Sequence, residues 1–176
     1  MAFINYIKGD LFSHLPHTKD AVSIFAHSCN CQGAWGGGIA AVFKQKYPLA
    51  YKSYRDHCLA LEDSRELLGT TYLCPTRSLE PGNKNRETPI YIACLFTSNF
   101  SESPEEIVEY TSRAMNDLDQ QIKELQVQFE ITTTDSKALV INLPKINSGI
   151  FRVPWEETEA VLKAMKDNIH FNVYVV

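Results

Sequence analysis

No run of eighteen apolar residues occurs in the chain, and Asn5, Lys8 and Asp10 break its first ten residues before a signal-peptide core can form. Secretion and membrane spanning are therefore not expected. Blocks of five or six like charges are missing too: 17 Lys and Arg against 21 Asp and Glu leave a formal charge of −4. Without a basic stripe, direct nucleic-acid binding is not expected, whereas a small anion in one local pocket stays open. The five cysteines, Cys29, Cys31, Cys58, Cys74 and Cys94, are an odd number and mostly lie in apolar stretches. They read as reduced thiols of a cytoplasmic or nuclear protein rather than as a disulfide framework. G-x-x-x-x-G-K-[ST] occurs nowhere, which counts against a P-loop ATPase. No cysteine has an arginine at the sixth position after it, which counts against a protein-tyrosine-phosphatase loop.

What is present is enough apolar material, 44% of 176 residues, for one core. Short apolar or alternating runs at residues 3–7, 21–26, 70–73, 90–96, 138–143 and 171–176 read as strands, mostly buried on both faces. Between them lie helical patterns. In the clearest, Ser103 caps, Pro104 takes the first helical position, Glu106 completes a capping box, and apolar residues recur from Ile107 to Phe129. Others run through Ile39, Val42, Phe43 and Tyr47, through Tyr51, Tyr54 and Cys58, and through Trp155, Val161, Leu162 and Met165. Strands alternating with helices predict a three-layer α/β domain with a mixed or parallel sheet, whose ligands gather at the carboxyl ends of the strands. Residues 77–88 and 131–137 read as surface connections within that domain. Asp117 and Asp119 are two apart within a helix, where carboxylates diverge, and read as a solvated face.

The most informative stretch runs from His27 through Asn30 to Gly36-Gly37-Gly38-Ile39-Ala40, a strand end leading through glycines into a helix. Consecutive glycines let backbone N–H groups approach an anion, and the helix start adds partial positive charge. A tight turn without a ligand is the alternative. The G-x-G-x-x-A spelling of 36–41 is a poor Rossmann match, because no acidic residue ends a second strand about twenty residues on. A second loop, Asn147-Ser148-Gly149-Ile150-Phe151, also leaves a buried strand and feeds a helix. Two such loops on one edge can clamp a diphosphate. Asp10 closes the first strand, either as a turn residue or as an acceptor for the exocyclic amine of a base. His27, Cys29 and Cys31 have the residue types of a zinc site, but a second separated ligand pair is missing, and neither metal nor other cofactor is expected.

Together, Gly9-Asp10-Leu11, Asn30, Gly36-Gly37-Gly38-Ile39-Ala40 and 147–151 resemble, in order and spacing, the ADP-ribose site of the macro domain family. The likeness extends from Tyr6 to Tyr174. Its fuller wording, His27-Ser28-Cys29-Asn30-Cys31 and Ile146 to Phe151 with Val153-Pro154-Trp155, is similar to the fungal branch of that family, which acts on ADP-ribose 1''-phosphate. The resemblance implies one three-layer α/β/α macro domain over residues 1–176 with a mixed six-stranded sheet. It also implies a monomeric phosphatase that turns this by-product of tRNA splicing into ADP-ribose and phosphate. Asp10 would then bind the adenine amine, with Gly9 and Leu11 beside it and Tyr174 next to the ring. Residues 36–39 would hold the distal ribose and its phosphate side, Asn30 the ribose hydroxyls, and 148–151 the diphosphate, with Asn147 opening the loop and Phe151 packing on the distal ribose.

His27 stands beside the glycine cradle and is the candidate catalytic residue with Asn30, as general acid or base or as the group that attacks phosphorus. A structural histidine is the alternative. Relatives that remove ADP-ribose from glutamate side chains use a lysine and an aspartate in the second loop; here Phe151 stands in the aspartate's place and Arg152 replaces a glycine. A reader of ADP-ribose, or a hydrolase acting on mono-ADP-ribosylated proteins, is the alternative function.

Overall fold

The computed structural model describes residues 1–16, 18, 20–128, 130–134 and 138–176. Six strands, β1 (Phe3–Lys8), β2 (Ile24–Cys29), β3 (Thr71–Pro75), β4 (Tyr91–Phe96), β5 (Leu139–Leu143) and β6 (Ile169–Val175), form one sheet in the order β1-β6-β5-β2-β4-β3. Only β3 runs antiparallel to its neighbour. Helices α1 (Gly38–Lys46) and α2 (Pro48–Leu59) cover one face, and α3 (Pro104–Leu125) and α4 (Trp155–Lys163) the other. This is the expected three-layer α/β/α architecture with a mixed sheet. Because the other five strands are parallel, their carboxyl ends share one edge, where a ligand site can form.

Burial separates the strands by position. The central β4 and β5 are buried almost throughout, as is β2 apart from Ser28. In contrast, β1, β3 and β6 leave side chains partly or fully exposed, so the expectation of burial on both faces fails there. The two edge strands lack a second neighbour, and β6 alternates because one of its faces is only thinly covered. A further correction concerns β2, which runs on to Cys29 instead of ending at Ala26. Three extra ladder positions place His27 inside the strand.

Local chemistry explains the helix starts. Ser103 Oγ accepts from Glu106 N at 3.2 Å and Glu106 Oε1 accepts from Ser103 N at 2.9 Å, so the expected capping box closes α3. The buried stripe of α3, Ile107, Ala114, Met115, Leu118 and Ile122, then meets the sheet; Phe129 lies outside the described residues. Helix α4 ends at Lys163, with Met165 buried just beyond it. The start of α2 is held from afar. Glu80 accepts from Leu49 N and Ala50 N, both at 2.9 Å, and from Arg77 N at 2.8 Å. Residues 77–88 form the largely exposed connection expected, with Glu80 and Asn83 as its buried anchors. Ile131 is buried and bridges to Val22, while 135–137 of the second loop lie outside the described residues. Asp117 and Asp119 are structural rather than solvated: Asp117 accepts from Thr71 N at 2.9 Å, and buried Asp119 pairs with Lys123 at 3.1 Å.

Candidate functional site

At the carboxyl edge, the loop after β2 and the loop after β5 face each other across a groove of about 460 Å³. Residues 36–39 line one wall and 147–151 the other, with Asn30 and Cys29 at its base near β2. The two glycine-bearing loops that the sequence singles out are thus brought together. Across the groove, Ile150 Cδ1 lies 3.4 Å from where a side chain on Gly37 would begin. Gly38 has φ +58, a left-handed backbone that favours glycine. Gly37 caps α1 without a side-chain hydrogen bond, leaving the first N–H groups of the helix open to a ligand.

Asn30 is the polar anchor of the first loop. Its Oδ1 accepts from Gln32 N at 2.9 Å and Ala34 N at 3.3 Å, while the Tyr54 hydroxyl donates chiefly to the Asn30 backbone O at 2.6 Å, with Oδ1 3.1 Å away. Its Nδ2 donates to Ala34 O at 2.6 Å. An amide nitrogen carries two protons, so one remains for a ligand in the groove that Asn30 lines. Burial pushes the Tyr54 phenol far up, and nearby thiols push it further, so it stays a donor to Asn30.

Asn147 has an inward role. Its Oδ1 accepts from Thr97 Oγ1 at 2.7 Å, and its Nδ2 donates to Thr111 Oγ1 at 2.8 Å and Thr158 Oγ1 at 3.3 Å. Its backbone is engaged as well, N donating to Ser28 Oγ at 3.1 Å and O accepting from Val153 N at 2.9 Å, so Asn147 holds the loop from inside. Asn147 also has φ 66, which asparagine tolerates better than most residues. Asn147→Ala is expected to cost about 2–3 kcal/mol of stability, because three buried hydroxyls lose a partner. Urea unfolding checks this; an unchanged midpoint would contradict the anchor.

His27 departs from expectation. Its ring is fully buried, stacked on Phe43 at 4.2 Å and edge-on to Trp35 at 4.9 Å, and it does not line the groove. Its place in the interior of β2 is the reason. The ring nitrogens lie 3.5 and 3.7 Å from Cys29 Sγ. Burial opposes ionisation of that thiol, but a hydrogen bond from Cys94 and the adjacent His27 ring hold it below the ordinary thiol range. Burial and the neighbouring Cys29 push Cys94 up.

Gly9, Asp10, Leu11 and Tyr174 do not line the groove, but they lie on the same edge at the ends of β1 and β6. Gly9 N donates to Val175 O at 2.8 Å, and Leu11 is buried. Asp10 Oδ1 accepts from Phe12 N at 3.0 Å and caps the turn Leu11–Ser13. The Tyr174 hydroxyl meets His14 Nδ1 at 2.7 Å, and Arg86 donates to Phe12 O at 2.8 Å and His14 O at 2.5 Å. No motif in the sequence marks these contacts of His14 and Arg86, since each joins residues distant along the chain. Phe100 was missed as well: at φ 77 and half exposed, it meets Phe151 edge-on at 5.9 Å in the groove wall. An exposed aromatic directly after the buried run of β4 was its one available signal.

An α/β/α domain with two glycine-bearing loops facing each other on the carboxyl edge of its sheet defines a class of small-ligand domains. The sequence matches the Macro domain family over residues 26–162, and the chain belongs to that family. Among its relatives, the ADP-ribose 1''-phosphate phosphatase of Scheffersomyces stipitis is 54% identical over 174 residues, 98% of this chain and 99% of that protein. The protein of the same name from Debaryomyces hansenii is 52% identical over 178 residues, with the same 98% and 99% coverage. Among solved structures, the macrodomain of Mycobacterium tuberculosis DarG aligns at TM-score 0.67 and 20% identity, covering 100% of this chain and 99% of its own. Thermosipho africanus DarTG in complex with ADP-ribose aligns at TM-score 0.62 and 16% identity, covering 100% of this chain and 42% of that one. These two likenesses show the fold.

Proposed function

We propose that this chain, a single macro domain over residues 1–176, hydrolyses ADP-ribose 1''-phosphate to ADP-ribose and phosphate as a phosphoric monoester hydrolase. The meeting of the two loops in one groove carries this reading, and relatives at 52–54% identity across nearly their whole length bear that activity in their names. In this reading the N–H groups of 148–151 hold the diphosphate, Phe151 packs on the distal ribose, and 36–39 face the terminal phosphate. Asn30 directs its second amide proton at the reacting end. Water attacks phosphorus, the bond from phosphorus to the 1'' oxygen breaks, and the proton given up by water finishes on that oxygen. Preorganised N–H donors stabilise the charge spread over the phosphoryl oxygens. His27 packs against Cys29, Phe43 and Trp35 behind the wall and does not touch phosphorus. The protein works as a monomer in the cytoplasm or nucleus on a small molecule, without membrane or direct nucleic-acid contact.

Asp10 and Tyr174 extend the site to adenine. Asp10→Asn keeps the cap on the Leu11–Ser13 turn but loses the charge that binds the adenine amine. ADP-ribose affinity is expected to fall by about 1.5–3 kcal/mol with the melting temperature held. Calorimetry and a thermal melt on one preparation check this, and unchanged affinity would reduce Asp10 to a turn residue. Phosphate release from ADP-ribose 1''-phosphate is the test of the activity itself.

A further inference from the structure

We propose that His27, Cys29 and Cys94 form a binding site for a thiophilic divalent cation of the zinc class. Cys94 stands opposite His27 across the parallel pair β2 and β4, and Cys29 follows two residues later on the same face of β2. One imidazole nitrogen and two sulfurs thereby converge, all within 4.8 Å of one another and all buried. The edge from His27 Nε2 to Cys29 Sγ is 3.5 Å. A triangle with edges in that range places a central ion about 2.0–2.8 Å from each corner, which brackets the usual zinc–sulfur and zinc–nitrogen distances.

Two further features favour a ligand over simple packing. The His27 ring is completely buried, yet its nitrogens have no oxygen or nitrogen partner among the described residues, and the polar atom near them is the Cys29 sulfur, at 3.5 and 3.7 Å. An imidazole so placed usually finds a stronger acceptor or a metal. Charge also balances. A dication that displaces the two thiol protons to solvent leaves two thiolates, a neutral imidazole and a site of zero net charge, the state that burial tolerates best. Three protein donors are the number found in open zinc sites, whose fourth position water fills, and Cys29 is the donor that also lines the groove. Cys31, the partner considered from the sequence, is not in this cluster.

The test uses the full chain, reduced and stripped of metal, titrated with zinc and with cadmium. About one ion per chain is expected, with a thiolate-to-cadmium absorption band for two sulfurs and a melting temperature raised by zinc. Cys94→Ala should lose all three signals, whereas Cys58→Ala, which removes a buried thiol outside the cluster, should keep them. Should Cys94→Ala not fold, Cys29→Ala answers the same question. A parent protein that binds neither ion overturns the proposal. So does a folded Cys94→Ala or Cys29→Ala protein that binds cadmium like the parent.

Discussion

Asn30→Ala is expected to lower phosphate release from ADP-ribose 1''-phosphate about 10²–10³-fold, the usual loss when one preorganised donor to a developing negative charge is removed. The argument rests on proton counting. One Nδ2 proton is committed to Ala34 O, while Oδ1 holds the loop through Gln32 and Ala34. Truncation removes both functions, so ADP-ribose affinity should fall too, but by less than turnover. Steady-state kinetics beside calorimetry separates the two. A variant whose turnover and affinity fall by equal factors would make Asn30 a loop anchor only.

His27→Ala should have the largest effect on stability, about 2–4 kcal/mol, because it empties a fully enclosed space between Phe43, Trp35 and Cys29. Phosphate release and ADP-ribose affinity should fall together, since the ring supports the base of the groove from behind. Urea unfolding gives the stability, and turnover per folded molecule gives the rest. A well-folded variant that binds ADP-ribose as the parent does but has lost turnover alone would restore His27 to direct chemistry.

The contrast between Asn30 and His27 shows what was legible in the sequence. The glycine loop, the second loop and their shared edge follow from local signals: strand ends, consecutive glycines, and parallel strands implied by alternating elements. The capping box at Ser103 and Glu106 is likewise local. The apolar run of β2 signals an end at Ala26, three residues before the strand ends, and in a strand that difference decides whether the His27 side chain ends at the rim or inside the layer. Cys94 joins His27 only through the register of β2 with β4, which no spacing along the chain encodes. Glu80, which caps α2, and Arg86, which ties down the segment after Asp10, act across 30 and 72 or more positions and carry no motif.

The central claim is hydrolysis of the terminal phosphate within the groove of the two loops. Its most direct test is to incubate the purified full chain with ADP-ribose 1''-phosphate and, in parallel, with mono-ADP-ribosylated protein, measuring phosphate and ADP-ribose from both. Equal amounts of phosphate and ADP-ribose from the first substrate, with little ADP-ribose from the second, is the predicted result. No phosphate release from a preparation that binds ADP-ribose would contradict the account and leave the protein a reader of ADP-ribose.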